Sequence, residues 1–242
     1  MNNKNKKEPI TIALIAARMN SKGVKNKNLL KFRGEEITKT AVNLAMTIKR
    51  INRIVLSSDS KIILELIKKN KKLIKIKRKK KLAQDQTPML PVIKNAINYL
   101  EKKIKKIFVS KVVIFDPTAP LRNKQDIENA LNLFDKKKPD LLVSVHKANH
   151  NPYFSILEKN KNNYQLSKLP KKNPGSRQTV PEVFEINTIA WIYSRKAIFV
   201  ENRRIPKKTQ IFLTPNERSI DIDNKDDIEK IKNYMKKNIN KK

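Results

Sequence analysis

ITIALIAARMNSKGVKNKNLL, residues 10–30, joins an apolar run to a basic, turn-forming one, and the fold turns on how that junction is read. The run 10–16 has the composition of a strand buried on both faces, as in the centre of a parallel sheet. The stretch after it holds Arg18, Lys22, Lys25 and Lys27, and it takes Gly23, one of only three glycines in the chain. A buried strand that feeds a loop and then a helix is a common way to build a phosphate cradle, with backbone N–H groups and cations converging on an anion. Neither G-x-x-x-x-G-K-[ST] nor G-x-G-x-x-G is present, so this is not one of the two best-known phosphate loops. Asn20 and Asn26 flank Gly23, and Asn tolerates the left-handed backbone such a loop needs. Taken alone, the stretch reads better as a solvated basic loop.

Outward from this junction, helical spacing over 37–48 is followed by a strand at 53–57 that ends in Ser58-Asp59-Ser60, a cap for a helix over 62–69. A weaker strand at 73–76, a helix over 89–100, a strand at 111–115, a helix over 126–134 and a strand at 141–145 continue the alternation. Strand and helix in turn predict an α/β fold with a doubly wound parallel sheet. After His146 the pattern changes to short strand-like pieces at 153–157 and 164–167 and a Lys/Pro loop at 168–181. This predicts a β-rich insertion over about 146–186. A core strand at 188–193, short strands at 210–213 and 219–222 and a helix over 226–235 close the domain, with a disordered tail at 1–9 and a frayed basic end at 237–242.

The 242 residues suit one such domain with a small extra lobe. No apolar stretch approaches the roughly 20 residues of a membrane span, and residues 1–9 are too polar for a signal peptide, so a cytoplasmic protein is expected. The absence of cysteine rules out disulfides, thiolate catalysis and Cys-based zinc sites. A net charge of +34 invites a nucleic-acid reading, but the excess is mostly lysine spread along the whole chain, with abundant Asn and Ile. Aromatic residues, at 6%, form no stacking platform, so specific nucleic-acid binding is not expected. The charge should still draw in anionic substrates.

Two acidic motifs complement the basic loop. SIDIDNKDD (219–227) places Asp221 and Asp223 two apart on an expected strand, so both carboxylates would point to one face. Like charges held together favour a cation, and hard oxygen ligands suit Mg²⁺. FDPTAPLR (115–122) sets Asp116 at the carboxyl end of an expected strand, where open α/β sheets bind ligands. Asp116 reads either as a third carboxylate at the same metal or as a turn residue before Pro117.

ARMNSKGVKNKNL, RKKKLAQD (78–85), DPTAPLR, SRQTVP (176–181) with Asn187, and SIDIDNKDD occur in the order and approximate spacing of the CMP-sialic acid synthetases, the acylneuraminate cytidylyltransferases, and residues 10–235 resemble that family. The resemblance implies a Rossmann-like nucleotidyltransferase (nucleotide-diphospho-sugar transferase-like) fold whose insertion makes dimer contacts. It implies transfer of CMP from CTP to a nonulosonic acid, a sialic-acid-like 2-keto acid, for surface glycans, with pyrophosphate released and Mg²⁺ required. It assigns Arg18 and Lys27 to the triphosphate, helped by the loop at Ser21, Lys22 and Gly23, with Asn28 as a nucleotide contact and Arg78 reading cytosine. Asp221 and Asp223 fall on the metal pair, joined by Asp116. Arg177, Gln178, Asn187 and Trp191, again with Asp116, fall in the sugar region. Arg177 also reads as a loop cation and Trp191 as core. His146 and His150, the only histidines, are expected in the insertion rather than as base or metal ligands. The chain departs from the family at Lys25-Asn26, where Pro-Gly is common, and at QTPML (86–90), where a Ser-rich turn is usual. At Asp116 sialic-acid enzymes commonly carry Gln and Kdo cytidylyltransferases an acidic residue. The alternatives are a nucleotidyltransferase for another acidic sugar such as Kdo and, from a different class, a basic nucleic-acid-binding protein.

Overall fold

A computed structural model describes residues 7–20, 23–169 and 175–239, apart from the side chains of residues 177, 238 and 239. The expected tail at 1–6, loop residues Ser21 and Lys22, part of the loop at 170–174 and the last residues 240–242 lie outside them. In chain order the elements are β1 (Glu8–Ala16), β2 (Lys31–Phe32), β3 (Glu35–Glu36), α1 (Ile37–Thr47), β4 (Arg53–Ser58), α2 (Lys61–Glu65), β5 (Leu73–Lys77), α3 (Met89–Lys103) and β6 (Ile107–Ile114). There follow α4 (Lys124–Lys137), β7 (Leu141–Lys147), β8 (Leu157–Asn160), β9 (Asn163–Leu166), β10 (Phe184–Ser194), β11 (Thr209–Leu213) and α5 (Lys225–Ile239).

Seven strands form the central sheet in the order β11-β7-β10-β6-β1-β4-β5. β1 lies between β4 and β6, parallel to both, and its residues 12–15 are fully buried because both faces are covered. Ala13 and Ile15 face a core built with α1, α2 and α4, while Ile10, Ile12 and Leu14 face one built with α3. The alternation is the period of two expected of a strand. Where sequence alternation predicts a wholly parallel sheet, β10 runs antiparallel to both β6 and β7. It enters from the insertion, so it approaches from the opposite end. Its pairing with β7 slips between Ile186 and Trp191, leaving residues 187–190 as a bulge.

Other differences have local causes. Glu8 and Pro9, expected in the tail, pair with Ile107 and Phe108, and α5 continues to Ile239. α2 ends at Glu65, short of the expected 69. In the insertion the expected strand at 153–157 is a turn, because Asn151 accepts from the Tyr153 N–H through Oδ1 and from the Phe154 and Ser155 N–H groups through its carbonyl. The hairpin forms instead from β8 and β9, with Lys161 in the left-handed region at its tip. The expected strand at 219–222 is also not formed. That segment follows a 3-10 turn (Asn216–Arg218) and docks through the Ile222 N–H on the Thr118 carbonyl, burying Ile222 beside Ile37, Leu121 and Ile231.

Candidate active site

The cleft forms where β1, β4, β5 and β6 end, the side on which open α/β sheets bind ligands. Two cavities adjoin there. One, of about 280 Å³, is polar and lined by Arg18, Lys27, Asn28, Arg78, Asp85 and Asp221 among others. The second, of about 440 Å³, is mainly apolar and lined by Leu90, Ile114, Thr188, Trp191, Tyr193 and Arg204 among others. Asp116 and Met89 line both.

The basic loop builds the polar cavity by close packing. A Cβ on Gly23 would lie 2.1 Å from the Asp223 carbonyl oxygen, so only glycine lets the loop reach the acidic segment. Asn26 takes φ 55°, as expected of a left-handed Asn, and opens the 3-10 turn Lys27–Leu29. Asn28 is buried; its Nδ2 donates to the Arg18 carbonyl at 2.8 Å, and its own carbonyl accepts from Thr38 Oγ1 at 2.7 Å. Its side chain lines the cavity while holding the loop's shape. Lys27 Nζ donates to the Ile222 carbonyl at 3.1 Å and pairs with Asp223 Oδ1 at 2.9 Å. Arg18 pairs with Asp85 Oδ1 at 2.5 Å across the cavity.

Arg78 is buried, yet its Nε and Nη2 have no hydrogen-bond partner. Burial lowers its pKa and Arg18 adds to that, while Asp59 opposes it. Asp59 also accepts from the Met19 N–H at 3.0 Å, which ties the basic loop to the end of β4. A buried guanidinium with unused donors is costly, and acceptor atoms of a ligand would relieve the cost.

The acidic residues are less symmetric than sequence suggests. Asp221 is recessed, and its Oδ1 is buried without a partner. Burial raises its pKa, as does Asp223, while a hydrogen bond from Thr118, Lys27 and Arg122 oppose. Asp223 is exposed and paired with Lys27, and the segment 219–222 forms no strand to set the two carboxylates in alternation. Among the described residues no three acidic or histidine side chains form a metal-holding group, and the expected trio with Asp116 is not closed. The Asp116 carboxyl is pushed up to about 6, first by loss of water, and further by Asp221 and Asp223, against Arg122 and Lys27.

Sequence reasoning gave Arg122 no role. It is buried, and donates from Nε to the Ile189 carbonyl and from Nη2 to the carbonyls of Thr188 and Asp116. It thus captures carbonyls that the β10 bulge leaves out of the ladder and binds them to the Asp116 turn. Its pKa is lowered to about 10 by burial, against Asp116, Asp221 and Asp126. The available signal was the Arg that ends DPTAPLR; its backbone partners were not legible.

Of the expected sugar residues, Trp191 both packs in the core and walls the apolar cavity, and its Nε1 donates to the Asn187 carbonyl at 2.8 Å. Asn187 is an interior bracket instead of a cavity wall. Its Oδ1 accepts from Ser144 Oγ and the Ile189 N–H, and its Nδ2 donates to Thr214 and Ser219. Gln178 is exposed and lines a separate cavity beside Lys147 and Asn151. Arg177 starts the 3-10 turn Arg177–Thr179; its side chain lies outside the described residues, as do Ser21 and Lys22. His146 lies on β7, one residue before its end, and its Nε2 is 3.2 Å from Glu185 of β10.

Residues 12–239 match the cytidylyltransferase family. The chain belongs to that family. It is 30% identical over 228 residues, 93% of its length and 94% of the relative's, to post-translational flagellin modification protein B of Campylobacter coli. It is 31% identical over 212 residues, 88% and 89% of the two lengths, to the CMP-N,N'-diacetyllegionaminic acid synthase of Campylobacter jejuni. Its fold is that of the nucleotide-diphospho-sugar transferases. A solved CMP:2-keto-3-deoxy-manno-octonic acid synthetase complexed with CTP superposes with a TM-score of 0.62 at 13% identity, covering 95% of this chain and 99% of the other. The sequence expectation of an enzyme in this fold and family is met. No helix among the described residues is long and apolar enough to cross a membrane.

Proposed function

We propose that this cytidylyltransferase moves the CMP group of CTP to the anomeric hydroxyl of a nonulosonic acid, releasing pyrophosphate. The observation that carries the reading is Arg78, a buried cation with two unused donor nitrogens, in a polar cavity that also holds Arg18 and Lys27. Cytosine offers carbonyl and ring-nitrogen acceptors to Arg78, and the triphosphate offers its charge to Arg18 and Lys27. The adjoining apolar cavity is the natural seat for the sugar, and the relative named CMP-N,N'-diacetyllegionaminic acid synthase supports an acidic sugar. Asp116, at the junction, stands where the two substrates would meet.

The sugar hydroxyl would form a bond to the α-phosphorus as the bond to the β-phosphate breaks, and the hydroxyl proton leaves to solvent. The protein contributes placement and charge. Arg122 fixes the Asp116 turn to the bulge at 187–190, so the two cavities are held in one register. The donor set fits Mg²⁺: Asp221 has a recessed oxygen without a partner, Asp116 faces it across a mutual repulsion, and nucleotide oxygens would complete the shell. Mg²⁺ held there would supply charge neutralisation for the leaving pyrophosphate. Asp223, the other half of the expected metal pair, is paired with Lys27 in the ligand-free protein.

The test is pyrophosphate release with Mg²⁺, each nucleoside triphosphate in turn and a panel of nonulosonic acids and Kdo. CTP with a nonulosonic acid should be the productive pair. Equal rates with ATP or GTP would sink the cytidine assignment, and preference for Kdo would move the sugar assignment to the eight-carbon class.

A further inference from the structure

Strands β1, β4, β5, β6, β7 and β11 all run in one direction, so all six begin at the end of the sheet opposite the cleft, and the antiparallel β10 ends there. Lysine crowds the segments that enter them. KR (49–50) precedes β4, KKNKK (68–72) β5, KKIKK (102–106) β6, KKK (136–138) β7 and KK (207–208) β11. Apart from Arg50 and Lys72 these cations are exposed. The acids nearby serve other groups: Asp135 pairs with Arg50 and Lys111, Glu101 with Arg195, and Asp140 with Lys196. Among the described residues, the lysines at 68–72, 102–106, 136–138 and 207–208 enter no ion pair. Charge that is diffuse along the sequence is thus gathered by the topology on one end of the molecule.

An apolar ridge lies within this basic end. Phe108, near the start of β6, and Phe199, just after β10, flank the Arg195 guanidinium, which sits 4.5 and 4.6 Å from their ring centroids. Val200, beside Phe199, is 72% exposed. The cations extend from β11 at one edge of the sheet to β5 at the other, about 30 Å at about 4.8 Å per strand, so they match an extended negative surface better than a point ligand. A second copy of the chain would bring the same positive charge. A nucleic acid would need open ring faces for its bases, and Arg195 lies over both rings, with Lys94 over Phe199 as well. Anionic phospholipid meets both features, since its headgroups attract the lysines and the boundary beneath them accepts exposed apolar side chains. We infer that this end of the molecule is a docking face for an anionic lipid bilayer, with the cleft turned to water. The inference stands on topology and charge, independently of the nucleotidyl-transfer reading.

The experiment is flotation of the full chain with vesicles of phosphatidylcholine, alone or mixed with phosphatidylglycerol, at about 0.15 M salt. The wild type should float with the anionic vesicles and stay behind with the neutral ones, and its binding should fall as salt rises. Lys105→Gln with Lys106→Gln should weaken binding about tenfold or more, because each lysine near such a surface is worth about fivefold. Lys159→Gln with Lys161→Gln removes the same charge from the β8–β9 hairpin and should change binding by less than about twofold, since those lysines lie beyond the reach of a screened surface. Val200→Ser should weaken binding about threefold through the apolar contact alone. All five positions are exposed, so thermal midpoints should stay in place and the variants report on the face. Absence of flotation with anionic vesicles, equal losses in the two lysine pairs, or a Val200→Ser variant that binds like the wild type would overturn the inference. Tighter binding to a random oligonucleotide than to vesicles of equal phosphate content would also overturn it and give the face to nucleic acid.

Discussion

Arg78 is buried with two nitrogens that the fold leaves without acceptors, so its cost to the empty protein and its value to the ligand should be separable. Arg78→Met should keep or raise the thermal midpoint of the ligand-free protein while weakening CTP about 10- to 100-fold, the worth of a charge-assisted hydrogen bond. Calorimetric titration and a melt on the same sample would check both halves. Asp116 gives a pH dependence of definite sign. Its pKa rises from the usual range near 4 to about 6 on folding, so its ionisation opposes folding. The stability it contributes is full below the unfolded value and is lost as pH rises through about 6. In chelator-treated protein, Asp116→Asn should therefore be stabilising by about 3 kcal/mol at pH 8 and near neutral at pH 4, read from denaturant unfolding at both pH values. Asp221 is shifted in the same direction, so the Asp221→Asn variant should show the same sign while losing turnover. That Arg18, Lys27 and Asp221 would line one cavity was legible, because charged residues in register point to a shared cleft. Arg122 and Asp59 were not, because their main partners are backbone groups distant in sequence.

At the scale of elements, Gly23 was legible as a special position but not for its actual reason, which is close approach to the Asp223 carbonyl. Gly23→Ala must push the basic loop off the acidic segment, so it should lower CTP affinity and loosen the Lys27–Asp223 pair together. A melt and a CTP titration check it; unchanged affinity would detach the loop from the cleft. The alternating strands and helices could be read early because a sheet covered on both faces demands apolar runs. The segment at 219–222 could not. Its Ser-Ile-Asp-Ile pattern has the period of a strand, yet no neighbour offers a ladder, and the buried side of Ile222 is claimed by the turn at Thr118. The antiparallel course of β10 was equally hidden, since the direction of a strand depends on the insertion that precedes it.

For the whole molecule, the charge of +34 is spread over a surface that holds no aromatic platform at the cleft beyond Trp191 and Tyr193. Binding to a random oligonucleotide should be weak at about 0.15 M salt and should fall steeply as salt rises, measured by fluorescence anisotropy. The insertion exposes Phe154, Ile156, Leu157, Tyr164 and Leu169, more apolar surface than so small a lobe should leave in water. If a second copy of the chain covers this face, light scattering should give a dimer that replacement of Leu157 and Tyr164 by Lys weakens; a monomer would leave the face without that role. The central claim is that the polar cavity takes the nucleotide and the apolar one the sugar, with Asp116 between them. A crystal structure with a non-hydrolysable CTP analogue and Mg²⁺ tests it most directly. Cytosine should lie within hydrogen-bond distance of Arg78 Nε or Nη2, the triphosphate should replace Asp85 and Asp223 as the partner of Arg18 and Lys27, and the α-phosphorus should face Asp116. A base seated in the apolar cavity, or an Arg78 still without a partner, would contradict the account.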